Sequence, residues 1–190
     1  MQFLEQPVES RNFPTEEPAT MLVLQPFRAA TVQIPGAEPW HANPQDPALT
    51  VMTDFRERPS VTVSEMSPID AALEHMKHAG VRSAFATDSA GRSVVGLITA
   101  YDIMSEKPMR VVQAIATTRS DVLVRDIMQR VSDWKVLDIK DIEQASAASV
   151  ARLFSESELT HVPVVETSAK GERRLRGLLS ASKVKRLLSR

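Results

Sequence analysis

No cysteine occurs among the 190 residues. That excludes disulfides, thiolate nucleophiles and cysteine metal sites, and it suits a reducing compartment. Net charge is almost absent too: the formal value is -1, so no global field draws the chain to nucleic acid or an anionic bilayer. No apolar run reaches the length of a membrane span. The opening residues, MQFLEQPVESR, meet Glu5 before any base and hold no apolar core. No secretory signal is expected there, and a cytoplasmic setting is. There is no glycine-rich phosphate loop with its lysine, and no nucleophile elbow around any serine, so catalysis is not expected.

What is present falls into three zones. Residues 1–60 hold nine of the twelve prolines, with eight acids against four bases. Ile34 to Pro47, IPGAEPWHANPQDP, cannot stay helical, because each proline removes a donor and restricts its predecessor. Yet MLVLQPF (Met21 to Phe27) and Trp40 offer apolar surface that wants cover. An irregular arm over a folded body, with one short strand, or a floppy tail both fit. Residues 61–120 balance six acids with six bases, while residues 121–190 carry ten acids and thirteen bases. Eight of those bases lie between Lys170 and Arg190, beside one acid.

The central feature is a repeat. GLITAYD, from Gly96 to Asp102, returns 81 positions later as GLLSASK, Gly177 to Lys183, with the final charge reversed. The preceding residues repeat as well. Ser67, Pro68 and Asp70 read as the capped start of a helix carrying Ala72, Leu73, Met76 and Ala79 at helical spacing, closed by Gly80. Val150, Ala151 and Phe154 match three of those apolar positions at an offset of 78. Strands are expected over Val81 to Thr87 and through SVVGLI, and again over Leu159 to Val165 and through RLRGLL. The offset grows from 78 to 81 because the second hairpin turn is three residues longer, and a hairpin tip is where a true repeat tolerates insertion. Short strands at SVTV and VLDI precede the helices. TVMTD (Thr50 to Asp54) and RDIMQ (Arg125 to Gln129) lead into each unit.

In this order and duplication the chain resembles tandem CBS domains, the modules named after cystathionine beta-synthase, over residues 50 to 190. The resemblance implies an α+β fold of two β-α-β-β-α repeats, residues 50–118 and 119–190, packed through their sheets about a pseudo-two-fold axis; residues 1–49, the irregular proline-rich N-terminal arm, lie outside it. It implies two clefts, a homodimer, regulation instead of catalysis, and an adenosine-containing ligand: AMP, ADP, ATP or S-adenosylmethionine. No obligatory cofactor is implied. It places the adenine near Val61, Thr62 and Val63 and the strand from Ser83 to Phe85.

The chemistry of the first copy suits such a ligand. Gly96 lets backbone or ligand approach closely. Thr99 stands at a helix start, where unpaired N–H groups favour phosphate. Asp102, an acceptor when ionised, can take both hydroxyls of a ribose. The same residues also satisfy the pattern of a capping box, in which Asp102 serves only its own backbone. In the second copy Lys183 cannot accept a hydroxyl. Either that cleft is vacant, or Lys183 with Ser180 and His161 faces an anion. His75 and His78 share a helix side without a third metal ligand, so no metal site is expected.

Three functions follow in rank: a free-standing nucleotide-responsive regulator acting on a partner protein, a ligand-free interaction scaffold, and a single-stranded nucleic-acid binder using the basic carboxyl end. Against the last stand the negative net charge and the few stacking aromatics.

Overall fold

A computed structural model describes residues 40–189. Most of the expected N-terminal arm, including the apolar stretch Met21 to Phe27, lies outside the described residues. Among the described residues eight strands make two four-stranded sheets with matching internal order. The first contains β2 (Thr62–Ser64), β3 (Ser83–Thr87) and β4 (Val94–Thr99), in that order. The second contains β6 (Leu137–Asp138), β7 (His161–Thr167) and β8 (Arg173–Ser180) in the same relation. β2 runs parallel to β3 and β6 parallel to β7, whereas both hairpins are antiparallel.

The fourth strand of each sheet comes from the other repeat. β1 (Thr53–Asp54), in the lead-in of the first unit, pairs antiparallel with β8, and β5 (Gln129–Arg130), in the lead-in of the second, pairs with β4. Here the repeated glycines find their reason. A Cβ on Gly96 would lie 2.5 Å from Met128 Sδ and 2.8 Å from the Gln129 carbonyl oxygen. At Gly177 it would lie 2.6 Å from Met52 Sδ and 2.8 Å from the Thr53 oxygen. It is protein backbone, and not a ligand, that needs the space at Gly96.

The helices follow the repeat with local differences. α1 (Ile69–His78) buries Ala72 and Met76, leaves Ala79 exposed, and ends before Gly80 at φ +66°. Its start differs from the expectation: Pro68 holds the cap position without any side-chain cap, and Ser67 does not serve. Residues 119–124 of the same chain supply bonds there instead. Ile69 N–H donates to the Val122 carbonyl, Val124 N–H donates to the Ser67 carbonyl, and Asp70 pairs with Arg119. α2 (Ala100–Met104) and α3 (Lys107–Ile115) follow β4, and α4 (Val124–Ile127) precedes β5. The second repeat gains a short helix, α5 (Ile139–Gln144), ahead of α6 (Ala147–Ser155), which Ser146 caps. α7 (Ala181–Leu188) closes it. Residues 40–49 run along this half, where Ala42 N–H bonds the Leu187 carbonyl and Ala48 is fully buried, while Trp40 stays 87% exposed.

Each sheet covers its own helices with a separate core, one around Met76, Ile98 and Ile103, the other around Val164, Leu179 and Leu187. A third cluster joins the sheets face to face. Phe85 and Leu97 meet Leu178, and Phe85 takes edge contacts from Phe55 and Trp134 at centroid distances of 5.5 and 5.8 Å. Such aromatic contacts add a little beyond their buried area. At the β1–β8 edge a largely buried ion pair links Asp54 to Arg176, whose Nε has no partner.

Candidate functional site

The peptide plane of a helix's first turn leaves N–H groups that a side chain can satisfy. Thr99, ending β4, does this for α2. Its Oγ1 accepts from Asp102 N–H at 3.1 Å, and Asp102 Oδ2 accepts from Thr99 N–H at 2.9 Å and from the Thr99 hydroxyl at 2.6 Å. The capping box is complete. The other carboxylate oxygen, Oδ1, accepts from Lys107 Nζ at 2.5 Å, a lysine whose side chain is 49% exposed.

This cluster lines a cavity of about 270 Å³ together with Gln129, Thr160 and His161. The cavity shares Thr99, Asp102, Lys107 and His161 with a larger groove of about 980 Å³. Leu73, Met76 and Met104 supply apolar walls to that groove, and Tyr101 and Met104 are strongly exposed along it. The volume of the larger groove is that of small-molecule sites.

The residues expected to hold the base sit elsewhere. Val61, Ser83 and Phe85 line another cavity, of about 440 Å³, with Ser180, Lys183 and His161. Thr62 and Val63 line neither cavity: Thr62 is exposed and Val63 belongs to the first core. Gly96 is buried against Met128. Val61, Ser83 and Phe85 thus line a different cavity from Thr99, although Ser83 is paired with Thr99 across the β3–β4 hairpin. Each cavity joins the helix start of one repeat to the opening of the first hairpin strand of the other, Thr99 and Asp102 with His161, and Ser180 and Lys183 with Ser83. The pairing of the sheets causes this crossing, which linear spacing does not encode.

Lys183 occupies the position equivalent to Asp102. Ser180 Oγ still accepts from its N–H at 3.3 Å, but the ammonium donates to the Met52 carbonyl at 3.0 Å and the Thr53 hydroxyl at 3.3 Å. The charge reversal thus ties α7 to the exchanged lead-in segment. His161 stands between the cavities, its Nδ1 3.1 Å from the Thr160 hydroxyl. Burial lowers its pKa from the ordinary 6.5, and the Asp102 charge opposes that shift.

Two residues missed by sequence reasoning enter the first site. Lys107 carries no motif and follows α2 by one short turn, and Gln129, the last residue of the RDIMQ lead-in, arrives on the exchanged strand. His75 and His78 are exposed, and His78 contacts the Glu74 carbonyl. Among the described residues no group of three potential ligands gathers for a metal, and no helix is long and apolar enough to cross a membrane. The basic run is divided: Arg176 is buried against Asp54, Lys183 points inward, and Arg173 and Arg174 lie exposed on β8.

Residues 48–108 match the family model of the CBS domain. No curated protein matches the sequence. Among solved structures, the chain is similar to CBSX2 of Arabidopsis thaliana in complex with AMP, at 24% identity and TM-score 0.50, covering 75% of this chain and 94% of that one. It is also similar to an uncharacterized conserved protein from Pyrococcus horikoshii, at 20% identity and TM-score 0.51, covering 75% and 92%. A CBS-domain containing protein from Agrobacterium tumefaciens matches at 17% identity and TM-score 0.50, covering 75% and 92%. These likenesses concern the fold.

Proposed function

From the CBS-domain match over residues 48–108 we propose that the chain is a CBS-type regulatory module binding an adenosine-containing ligand at Thr99 and Asp102 and relaying occupancy to a partner protein. The observation that carries this reading is the cavity in which a hydroxyl, a carboxylate and an exposed lysine converge at a helix start. Asp102 Oδ2 remains on its backbone, and Oδ1 is the oxygen open to exchange. A ribose hydroxyl displaces the Lys107 ammonium from it, and the freed ammonium then neutralises a phosphate. The adjoining apolar groove receives the base. The AMP bound to CBSX2 supports the ligand class, which here extends to ADP, ATP or S-adenosylmethionine.

Calorimetry with these four compounds tests the reading. Saturable heat with at least one, lost in Asp102→Ala, is expected; no heat with any, or unchanged binding by Asp102→Ala, removes it.

A second reading, a ligand-free scaffold, is favoured by one observation: the capping box and the Lys107 ion pair already use both carboxylate oxygens. It predicts that nucleotides leave the melting temperature unchanged. Both readings include a homodimer, for which the exposed Tyr101, Met104, Met109 and Ile115 offer an apolar face. Met104→Glu is expected to shift sedimentation toward the monomer, and an unchanged profile discards that face.

A further inference from the structure

Helix α3 has little apolar cover. Pro108 is its one fully buried residue, Val111 and Val112 pack partly against the first core, and Met109 and Ile115 stand exposed. Such a helix belongs to the low-stability end of a fold. Its carboxyl end closes on Ala116 at φ +50°, the left-handed region that suits glycine and strains alanine. At its amino end Glu106 gives no side-chain cap, and the Ser105 hydroxyl, bonded to the Asp102 carbonyl, accepts from the Lys107 N–H at 3.2 Å. Lys107 thus puts a cation at the positive end of the helix dipole, where it is unfavourable. Asp102 offsets it, because Oδ1 accepts from the ammonium at 2.5 Å. One carboxylate therefore steadies the starts of two consecutive helices: Oδ2 caps α2, and Oδ1 neutralises the opening of α3.

We infer that the Asp102–Lys107 pair is a latch that makes the order of α3 depend on whether a bound adenosine ligand carries phosphate. The latch rests on the nucleotide site proposed above. A ribose hydroxyl takes Oδ1, and the ammonium leaves it. With a nucleoside the first turn of α3 then keeps a cation that Asp102 no longer holds, and the turn loosens. With a nucleotide the phosphate takes up the ammonium in a charge-assisted bond, and the turn stays formed. From α3 the change reaches two places. Met109 and Ile115 belong to the apolar face assigned to the homodimer, and Ala116 opens the connection to the second repeat's lead-in, whose strand β5 pairs with β4.

Hydrogen exchange of the α3 amides, Arg110 to Ile115, tests this in the full chain, with calorimetry to establish saturation by adenosine and by AMP. Adenosine is expected to speed exchange about threefold over the free chain, the scale of a half-exposed ion pair. AMP is expected to leave it at or below the free rate. Lys107 is half exposed, so Lys107→Met folds, and its α3 is expected to exchange at one rate whether free, with adenosine or with AMP. If α3 exchanges no faster with adenosine than with AMP, the latch is overturned and the nucleotide site stands. A difference between the two ligands that persists in Lys107→Met has the same meaning. Saturation by AMP without saturation by adenosine also overturns the latch, since the ribose alone then fails to displace the lysine. Absence of heat with both compounds removes the nucleotide site and the latch together.

Discussion

At the residue scale, Asp102 caps its helix, and the proposed function gives the same carboxylate a ligand to hold; a single substitution separates the two. Asp102→Asn retains an oxygen for the Thr99 N–H, so stability is expected to change by no more than about 1 kcal/mol, the scale of one cap. It removes the charge that draws Lys107 and polarises toward a diol. Nucleotide affinity is expected to fall about tenfold or more, read by calorimetry beside a urea titration. His161 gives a second prediction. Its folded pKa lies below 6.5 because burial outweighs the pull of Asp102. Between that lowered value and 6.5 the unfolded chain holds more protons than the folded one, so stability falls as pH drops through this window. His161→Gln is expected to flatten that part of the profile. A variant whose stability still tracks the parent's from neutral pH to pH 5 contradicts this.

Elements were legible where periodicity and duplication agreed. α1, β3, β4 and the capped start of α2 stand close to where the spacing of Ala72, Leu73 and Met76 and the phrase GLITAYD put them. The cap of α1 was not legible, because backbone from residues 122–124 replaces the side-chain cap that Ser67 offers. Nor was the destination of two-residue strands: Thr53–Asp54 and Gln129–Arg130 are too short for any pattern to name a partner. That hidden exchange explains why Val61 and Ser83 face Lys183 and not Asp102. It also sets the glycine prediction. Gly96→Ala and Gly177→Ala each press a methyl onto a backbone oxygen at 2.8 Å, which a methionine rotamer change cannot relieve. Each is expected to destabilise by about 1–3 kcal/mol, as overpacking does. Chemical denaturation midpoints equal to the parent's would show that the exchanged strands are loosely held.

At the scale of the whole molecule, the sheets interlock through both lead-in segments and a shared aromatic cluster. Unfolding is therefore expected as one cooperative transition, coincident by circular dichroism and tryptophan emission. A fragment of residues 40–118 lacks β5 and carries β1 without its β8 partner. It is expected to show no cooperative melt, and a sharp two-state transition in that fragment contradicts the interlock.

The two exchanged edges are fastened unequally. Burial pushes the Asp54 carboxyl upward, but its bond to Arg176, the Arg56 N–H and both guanidinium charges together hold it below the usual carboxylate range. At the matching place on the other edge Arg130 faces Gly96, with Val95 where Arg176 would stand. A depressed carboxylate stabilises above its unfolded value and loses that hold as pH falls through the lowered one. Acid is thus a wedge that enters on one side only: the seam at β8 gives way while its twin, having no such latch, feels nothing.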